Sequence, residues 1–263
     1  MSPLKFLILG GTSEASALVR LLADDIRFSA VLSLAGRTKA PVLPAIPCRI
    51  GGFGGASGLA HYLQDNAIQA LVVATHPFAA QIRQNAVTAA RETKTPLLLI
   101  ERPAWLQEAG DRWTEVADMA QAAAALGSTP RRVLLTVGRK DLAPFAAAPW
   151  HDYVIRSVDA PPPEMLPPRA KFFAARGPFT LENDRRMLQE ERIEVIVTKN
   201  SGGAATQSKL TAARACKIPV IMVARPPWPD VTGLDAARVT DAAGALLWVE
   251  ARHNATSSAE RGV

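Results

Sequence analysis

Two glycine turns, each set between an apolar run and a helical stretch, carry the side chains best suited to chemistry. The first is Leu9-Gly10-Gly11-Thr12-Ser13-Glu14-Ala15. Glycine lets the backbone turn sharply and lets a phosphate come close. A helix starting there aims free N–H groups and the positive end of its dipole at that phosphate. Thr12 and Ser13 can cap the helix and offer hydroxyls. The pattern is not G-x-G-x-x-G, so a plain capped strand-to-helix turn fits it as well. The second turn is Val197-Thr198-Lys199-Asn200-Ser201-Gly202-Gly203. It has the layout of an anion site but lacks the Lys-Ser/Thr of a nucleotide-triphosphate loop.

What the first turn would hold is narrowed by the end of the second apolar run, Ser33-Leu34-Ala35-Gly36-Arg37-Thr38-Lys39. An NAD enzyme places Asp or Glu about 20 residues past its glycine turn, on the ribose hydroxyls. Here there is no acid, and Arg37, Thr38 and Lys39 stand instead. A guanidinium suits a 2′-phosphate, so NADPH is expected over NADH. Thr75, His76 and Pro77 follow the next central run, where a nicotinamide or a substrate would lie. His76 is a candidate acid or base near neutral pH; a helix-start residue fixed by hydrogen bonds is the competing reading. Arg49 opens the glycine-dense stretch RIGGFGG, which fits either a loop closing over a flat ring or a simple connection. Arg102, in ERPAW, is placed for a ligand carboxylate, with Trp105 beside it to cover an apolar face. His61, His151 and His253 lack metal-ligand spacing, and Cys48 and Cys216 belong to no CxxC, so no catalytic metal is expected.

These side chains need a scaffold, and 263 residues with 48% hydrophobic and 21% charged content provide for one large domain or two. The apolar start is too short for a signal peptide or a membrane helix, so a cytoplasmic protein with no membrane partner is expected. The net charge of +6 comes from scattered Lys and Arg rather than a basic run. Many of them fall at the ends of apolar runs, which favours a small anionic ligand over nucleic acid.

Continuously apolar runs at 5–9, 29–34, 70–74 and 96–100 read as strands covered on both faces. Helical stretches at 13–22, 58–66 and 78–92 separate them, and 116–126 reads as an alanine-rich helix. Gly127 and Pro130 then stop the chain, and a domain boundary is expected there. The alternation restarts with strands at 132–137, 153–158, 171–174, 195–198 and 220–224 and helices at 179–191, 205–216 and 241–250. The expected fold is therefore α/β: two Rossmann-like domains with mainly parallel sheets, 1–128 and 129–251, a ligand cleft between them, and a mobile tail over 252–263.

The blocks ILGGTSEA, SLAGRT, THPFA, ERPAW, ARGPFT, VTKNSGG and IPVIMVARP, in that order, resemble the precorrin-6A reductase family of cobalamin biosynthesis. The resemblance implies NADPH-dependent hydride transfer to the conjugated macrocycle of precorrin-6A, giving precorrin-6B. It gives the anionic partner an identity, a polycarboxylate tetrapyrrole. On that reading Gly10, Gly11, Thr12, Ser13, Glu14, Arg37, Thr38, Lys39, Thr75, His76 and Pro77 hold the cofactor, and His76 is the first candidate proton donor. Substrate carboxylates fall to Arg49, Arg102, Gly138, Arg139, Lys140, Arg176, Thr198, Lys199, Asn200, Ser201, Gly202 and Gly203. Two other readings stand beside it: an NADPH-binding sensor without turnover, and a two-domain transferase using a nucleotide donor.

Overall fold

The computed structural model describes residues 2–36 and 45–261. It divides the chain into two compact units. Unit 1 is Met1–Arg102 with Pro227–Val263, and unit 2 is Pro103–Pro226.

Unit 1 holds strands β1 (Leu4–Leu9), β2 (Phe28–Leu34), β3 (Cys48–Ile50), β4 (Ala70–Val73) and β5 (Leu97–Ile100), with helices α1 (Ser13–Leu22), α2 (Ala56–Asp65) and α3 (Ala80–Thr93). Unit 2 holds β6 (Trp113–Val116), α4 (Met119–Ala125), β7 (Arg132–Thr136), β8 (Asp152–Ser157), β9 (Ala170–Ala174), α5 (Leu181–Glu190), β10 (Val195–Lys199), α6 (Ser208–Ala215) and β11 (Val220–Val223). The chain then returns to unit 1 for β12 (Ala236–Val239) and α7 (Ala242–Arg261). Each unit has a six-stranded sheet, ordered β12-β5-β4-β1-β2-β3 in one and β6-β11-β10-β7-β8-β9 in the other. Every pairing is parallel.

The apolar runs build these sheets because successive strand residues face opposite ways. Phe6 and Ile8 of β1 pack with α1 and α7, while Leu7 and Leu9 pack with α2 and α3. Each such fully buried side chain contributes roughly 1.5–3 kcal/mol. In unit 2, Leu134, Val154, Ile196 and Met222 pack under Leu188 of α5 and Leu210 of α6.

One expectation about organisation is corrected. The boundary expected at 128 lies inside unit 2, because β6 pairs with β11, and the crossings fall at 102–103 and 226–227. Gly127 and Pro130 end helix α4, not a domain. The stretch from 252 is helical as far as Arg261, as the last part of α7. His253 is buried with its ring 5.9 Å from that of Phe28, and Arg252 pairs with Asp235, so this turn of helix has partners to hold it.

Gly127 marks a polar clasp in unit 2 around the buried His151. Its carbonyl accepts from Trp150 Nε1 at 3.1 Å and lies 3.1 Å from His151 Nε2. His151 Nδ1 accepts from the Arg131 N–H at 3.2 Å, which leaves Nε2 to carry the ring proton and donate. The ring is therefore neutral, and burial holds its pKa below the ordinary 6.5. A histidine held neutral in the folded state stabilises fully above its unfolded pKa and loses that contribution as pH falls through the folded value. The melting temperature should thus drop as pH is lowered from about 6.5. His151→Phe should remove that part of the pH dependence and cost about 1–3 kcal/mol at pH 8, where the Arg131 N–H loses its acceptor. Thermal melts across pH 5–8, read by circular dichroism, check both.

Candidate functional site

In unit 1 the chemistry gathers at the carboxyl ends of β1, β2 and β4. Thr12 is the cap of α1: its Oγ1 accepts from the Ala15 N–H at 3.2 Å and donates to the Ala74 carbonyl at 2.7 Å. That second bond ties the glycine turn to the end of β4. A Cβ on Gly10 would fall 2.6 Å from Leu32 Cδ1, and Gly11 has φ of +116° with open space around it. The turn is therefore both tightly seated and open on its outer side. A cavity of about 440 Å³ lies against it, with Gly10, Gly11, Ser33, Thr75, His76 and Phe78 among its walls. Thr75 Oγ1 is buried and has no hydrogen-bond partner among the described residues. His76 Nδ1 accepts from the Phe78 N–H at 3.2 Å, which fixes the ring. Gly51, Gly52 and Phe53 close another side. Arg49 builds that wall: it donates to Ser33 Oγ at 2.8 Å, to the Gly51 carbonyl at 3.2 Å and to the Gly52 carbonyl at 3.0 Å. Its guanidinium carbon also lies 3.8 Å from the centre of the Phe53 ring.

In unit 2 a cation stands at the carboxyl end of β10, Lys199, and within three residues past the ends of β7, β9 and β11, at Arg139, Arg176 and Arg225. These four strands run parallel in one sheet, so the four positions share its carboxyl end. Asp141 links two of the loops, pairing with Lys199 Nζ at 2.6 Å and accepting from the Gly138 N–H at 3.0 Å. The loop after β9 joins the loop after β10 through the Phe179 N–H, which donates to the Ala205 carbonyl at 3.2 Å. Beneath them Arg156 and Asp184 form a buried ion pair, Ser208 Oγ donates to Asp184 at 2.5 Å, and the Arg156 guanidinium carbon lies 4.1 Å from the centre of the Phe179 ring. This network fixes the starts of α5 and α6 with no solvent-exposed charge.

The family model described as precorrin-6x reductase CbiJ/CobK matches residues 5–250. The chain belongs to that family. A relative from Rhodobacter capsulatus named precorrin-6A reductase is 49% identical over 86% of this chain and 89% of its own. One of the same name from Rhodococcus erythropolis is 47% identical over 93% of this chain and 97% of its own. A solved structure named CobK precorrin-6A reductase is 46% identical, with a TM-score of 0.87 over 95% of this chain and 96% of that one.

Not every side chain expected at a reductase site is placed to meet a ligand. Gly10, Gly11, Thr75 and His76 come together around the cavity; Thr12, Ser13, Glu14 and Pro77 are not among its walls. The Thr12 hydroxyl is used at both ends inside the fold, so it is not available to a phosphate. Ser13 Oγ donates to Glu14 at 3.1 Å, and Arg102 pairs with the same carboxylate at 3.2 Å. Arg102 thus belongs to the first glycine turn. Arg49 donates to its own loop and to Ser33 of β2. Arg37, Thr38 and Lys39 lie outside the described residues.

The turn after β10 divides in two. Thr198 is buried, its hydroxyl facing the Lys199 carbonyl at 3.5 Å, which keeps it from a ligand. The Asn200 carboxamide accepts from the Trp105 N–H at 2.9 Å and donates to the Trp105 carbonyl at 3.0 Å. Gly202 has φ of +65°, and a Cβ there would fall 2.1 Å from the Pro103 carbonyl oxygen. Arg225 braces the same place, donating to the Asn200 carbonyl at 2.7 Å and to Pro103 at 3.0 Å. Asn200 and Gly202 therefore grip the chain's own backbone. Gly138, Arg139, Lys140, Arg176, Lys199, Ser201 and Gly203 remain on the loops at the sheet's carboxyl end. Sequence reasoning missed Arg156, Asp184 and Lys209, a buried lysine whose Nζ is 4.9 Å from the centre of the Trp105 ring. A charged residue within an otherwise apolar run, as Arg156 is, was the available signal.

Asn200→Ala should strip two buried backbone groups of their partners and destabilise by about 2–4 kcal/mol. Gly202→Ala should cost a similar amount, because the clash is with backbone and the left-handed conformation is strained. Urea unfolding of each variant against the parent measures both.

Proposed function

We propose that this chain reduces precorrin-6A to precorrin-6B with NADPH, a step in cobalamin biosynthesis. The observation that carries the reading is the set of cations at the carboxyl ends of four parallel strands in unit 2, on a chain whose relatives bear the name precorrin-6A reductase. A macrocycle rimmed with acetate and propionate groups needs several separated cations rather than one pocket. Charge-assisted hydrogen bonds from such cations fix both position and orientation. Lys199, Arg139, Lys140 and Arg176 fill that role, with the backbone N–H group of Gly203 as a further donor. Asp141 holds the Lys199 ammonium in place.

Unit 1 fits a nicotinamide dinucleotide. Gly11 leaves open space beside the start of α1, where a diphosphate meets N–H groups and the helix dipole. Thr75 Oγ1 is a buried hydroxyl with no partner among the described residues. When bound, the dinucleotide supplies the hydride; the protein's part is to align and to shield. Arg37 and Lys39 supply the preference for a 2′-phosphate. Neither the sensor nor the transferase reading gains a feature of its own from the fold.

The test is an anaerobic turnover assay of the purified chain with precorrin-6A or its cobalt form, and NADPH or NADH. Nicotinamide absorbance and macrocycle colour should change together with NADPH; binding of NADPH without reduction of either macrocycle would overturn the reading. Lys199→Ala should raise KM for the macrocycle about tenfold, the worth of one charge-assisted contact, and leave the NADPH dissociation constant unchanged. Arg37→Ala should weaken NADPH far more than NADH in a fluorescence titration.

A further inference from the structure

We propose that Gln81 and Asn85 of α3 read the adenine edge of the dinucleotide, and that His76 is a wall of this base pocket rather than a proton donor. The inference rests on the cofactor reading above and adds the residues that choose the base.

The position comes first. The cavity's walls run from the β1 turn through the end of β2, Ser33 to Gly36, to the first turns of α3. In a doubly wound sheet the ribose beside the end of β2 is the adenosine ribose, and the nicotinamide half lies on the other side of the central strand. Among the described residues, none that follows β5 or β12 lines the cavity. It is thus on the adenosine side. Its volume of about 440 Å³ is at the small end of the roughly 300–1,000 Å³ typical of small-molecule sites, room for one nucleoside half and not for two.

The chemistry of the wall comes second. Gln81 and Asn85 sit one helical turn apart, both on the cavity, with Gln81 Nε2 donating to Asn85 Oδ1 at 2.9 Å. Joined by that bond, the pair leaves Gln81 Oε1 to accept and Asn85 Nδ2 to donate. One acceptor next to one donor is the complement of adenine's N6 amino group and neighbouring ring nitrogen. Guanine places a carbonyl oxygen where adenine has the amino group, so one contact becomes acceptor against acceptor. His76 and Phe78 supply flat, apolar surface nearby, their ring centres 5.8 Å apart, with the His76 ring oriented by the Phe78 N–H. A histidine beside the adenine is remote from the carbon that receives the hydride.

The experiment is equilibrium binding by the full chain, followed by calorimetry, of NADPH, of 2′,5′-ADP and of the guanine analogue of NADPH. The parent should bind 2′,5′-ADP in competition with NADPH and should bind the guanine analogue about 10–100-fold more weakly, the range for one two-point base contact. The Gln81→Leu/Asn85→Leu double variant should narrow that preference to under about fivefold and weaken 2′,5′-ADP about tenfold. Both positions are on the outer part of α3, and an unchanged melting temperature confirms folding. If the double variant keeps the parent's preference for adenine, the base is read elsewhere and the proposal falls while the cofactor reading stands. If the parent binds neither NADPH nor 2′,5′-ADP, the cofactor reading falls and takes this one with it.

Discussion

A strand at the rim of a sheet leaves a row of backbone donors and acceptors open along one side, and something must cover them or blunt them. In this chain that constraint sets the organisation. β5 and β11 are wholly apolar strands, LLLI and VIMV, buried along their whole length. Neither can stand at an exposed rim. Each is covered by a short strand from a distant part of the chain: β12 pairs with β5, and β6 with β11. The chain must therefore leave unit 1 after β5, finish unit 2, and return. Prolines stand where it crosses, Pro103 on the way out and Pro226 and Pro227 on the way back. Proline has no N–H for a ladder, so it ends the strand's pairing at those points.

The same constraint explains which elements were legible. β1, β4, β5, β7, β8, β10 and β11 are interior strands, and their apolar runs announce them. The three strands not foreseen, CRI of β3, WTEV of β6 and AARV of β12, all lie at a rim. A rim strand needs only partial burial, so its sequence carries no continuous run. The misplaced boundary has the same source. Gly127 and Pro130 are good stop signals for a helix, and a stop signal is local. It reads the same whether the chain is leaving a domain or only turning within one; the parallel partner of β6 more than a hundred residues later decides which.

At the site, position was legible and purpose was not. The glycine turns after β1 and β10 stand where the sequence puts them. Their side chains divide between ligand and scaffold in a way that residue type does not reveal. A carboxamide that pairs with one N–H and one carbonyl does the same work on a base edge as on a backbone. Asn200 closes on Trp105, its partner 95 residues away, whereas Gln81 and Asn85 present that same pair of groups to a cavity. Likewise the glycine at 202 looks like an invitation to a phosphate, and it is the approach of the Pro103 carbonyl that excludes any larger residue. Long-range contacts of this kind leave no trace in the spacing of nearby residues.

The electrostatics of unit 2 follow from this division. Buried and structural charges come with partners: Arg156 has Asp184, Arg214 has Asp111, and Arg132 has Glu191. At the sheet's carboxyl end Asp141 pairs with Lys199, and Arg139, Lys140, Arg176 and Arg225 stand on loops at that same end. Cations placed on strand-end loops differ from those pairs in position, because the carboxyl end of a parallel sheet is where such folds take up ligands. On the reading proposed above, these are the cations that the carboxylates of a polyanion would meet, and Asp141 sets where the Lys199 ammonium stands among them.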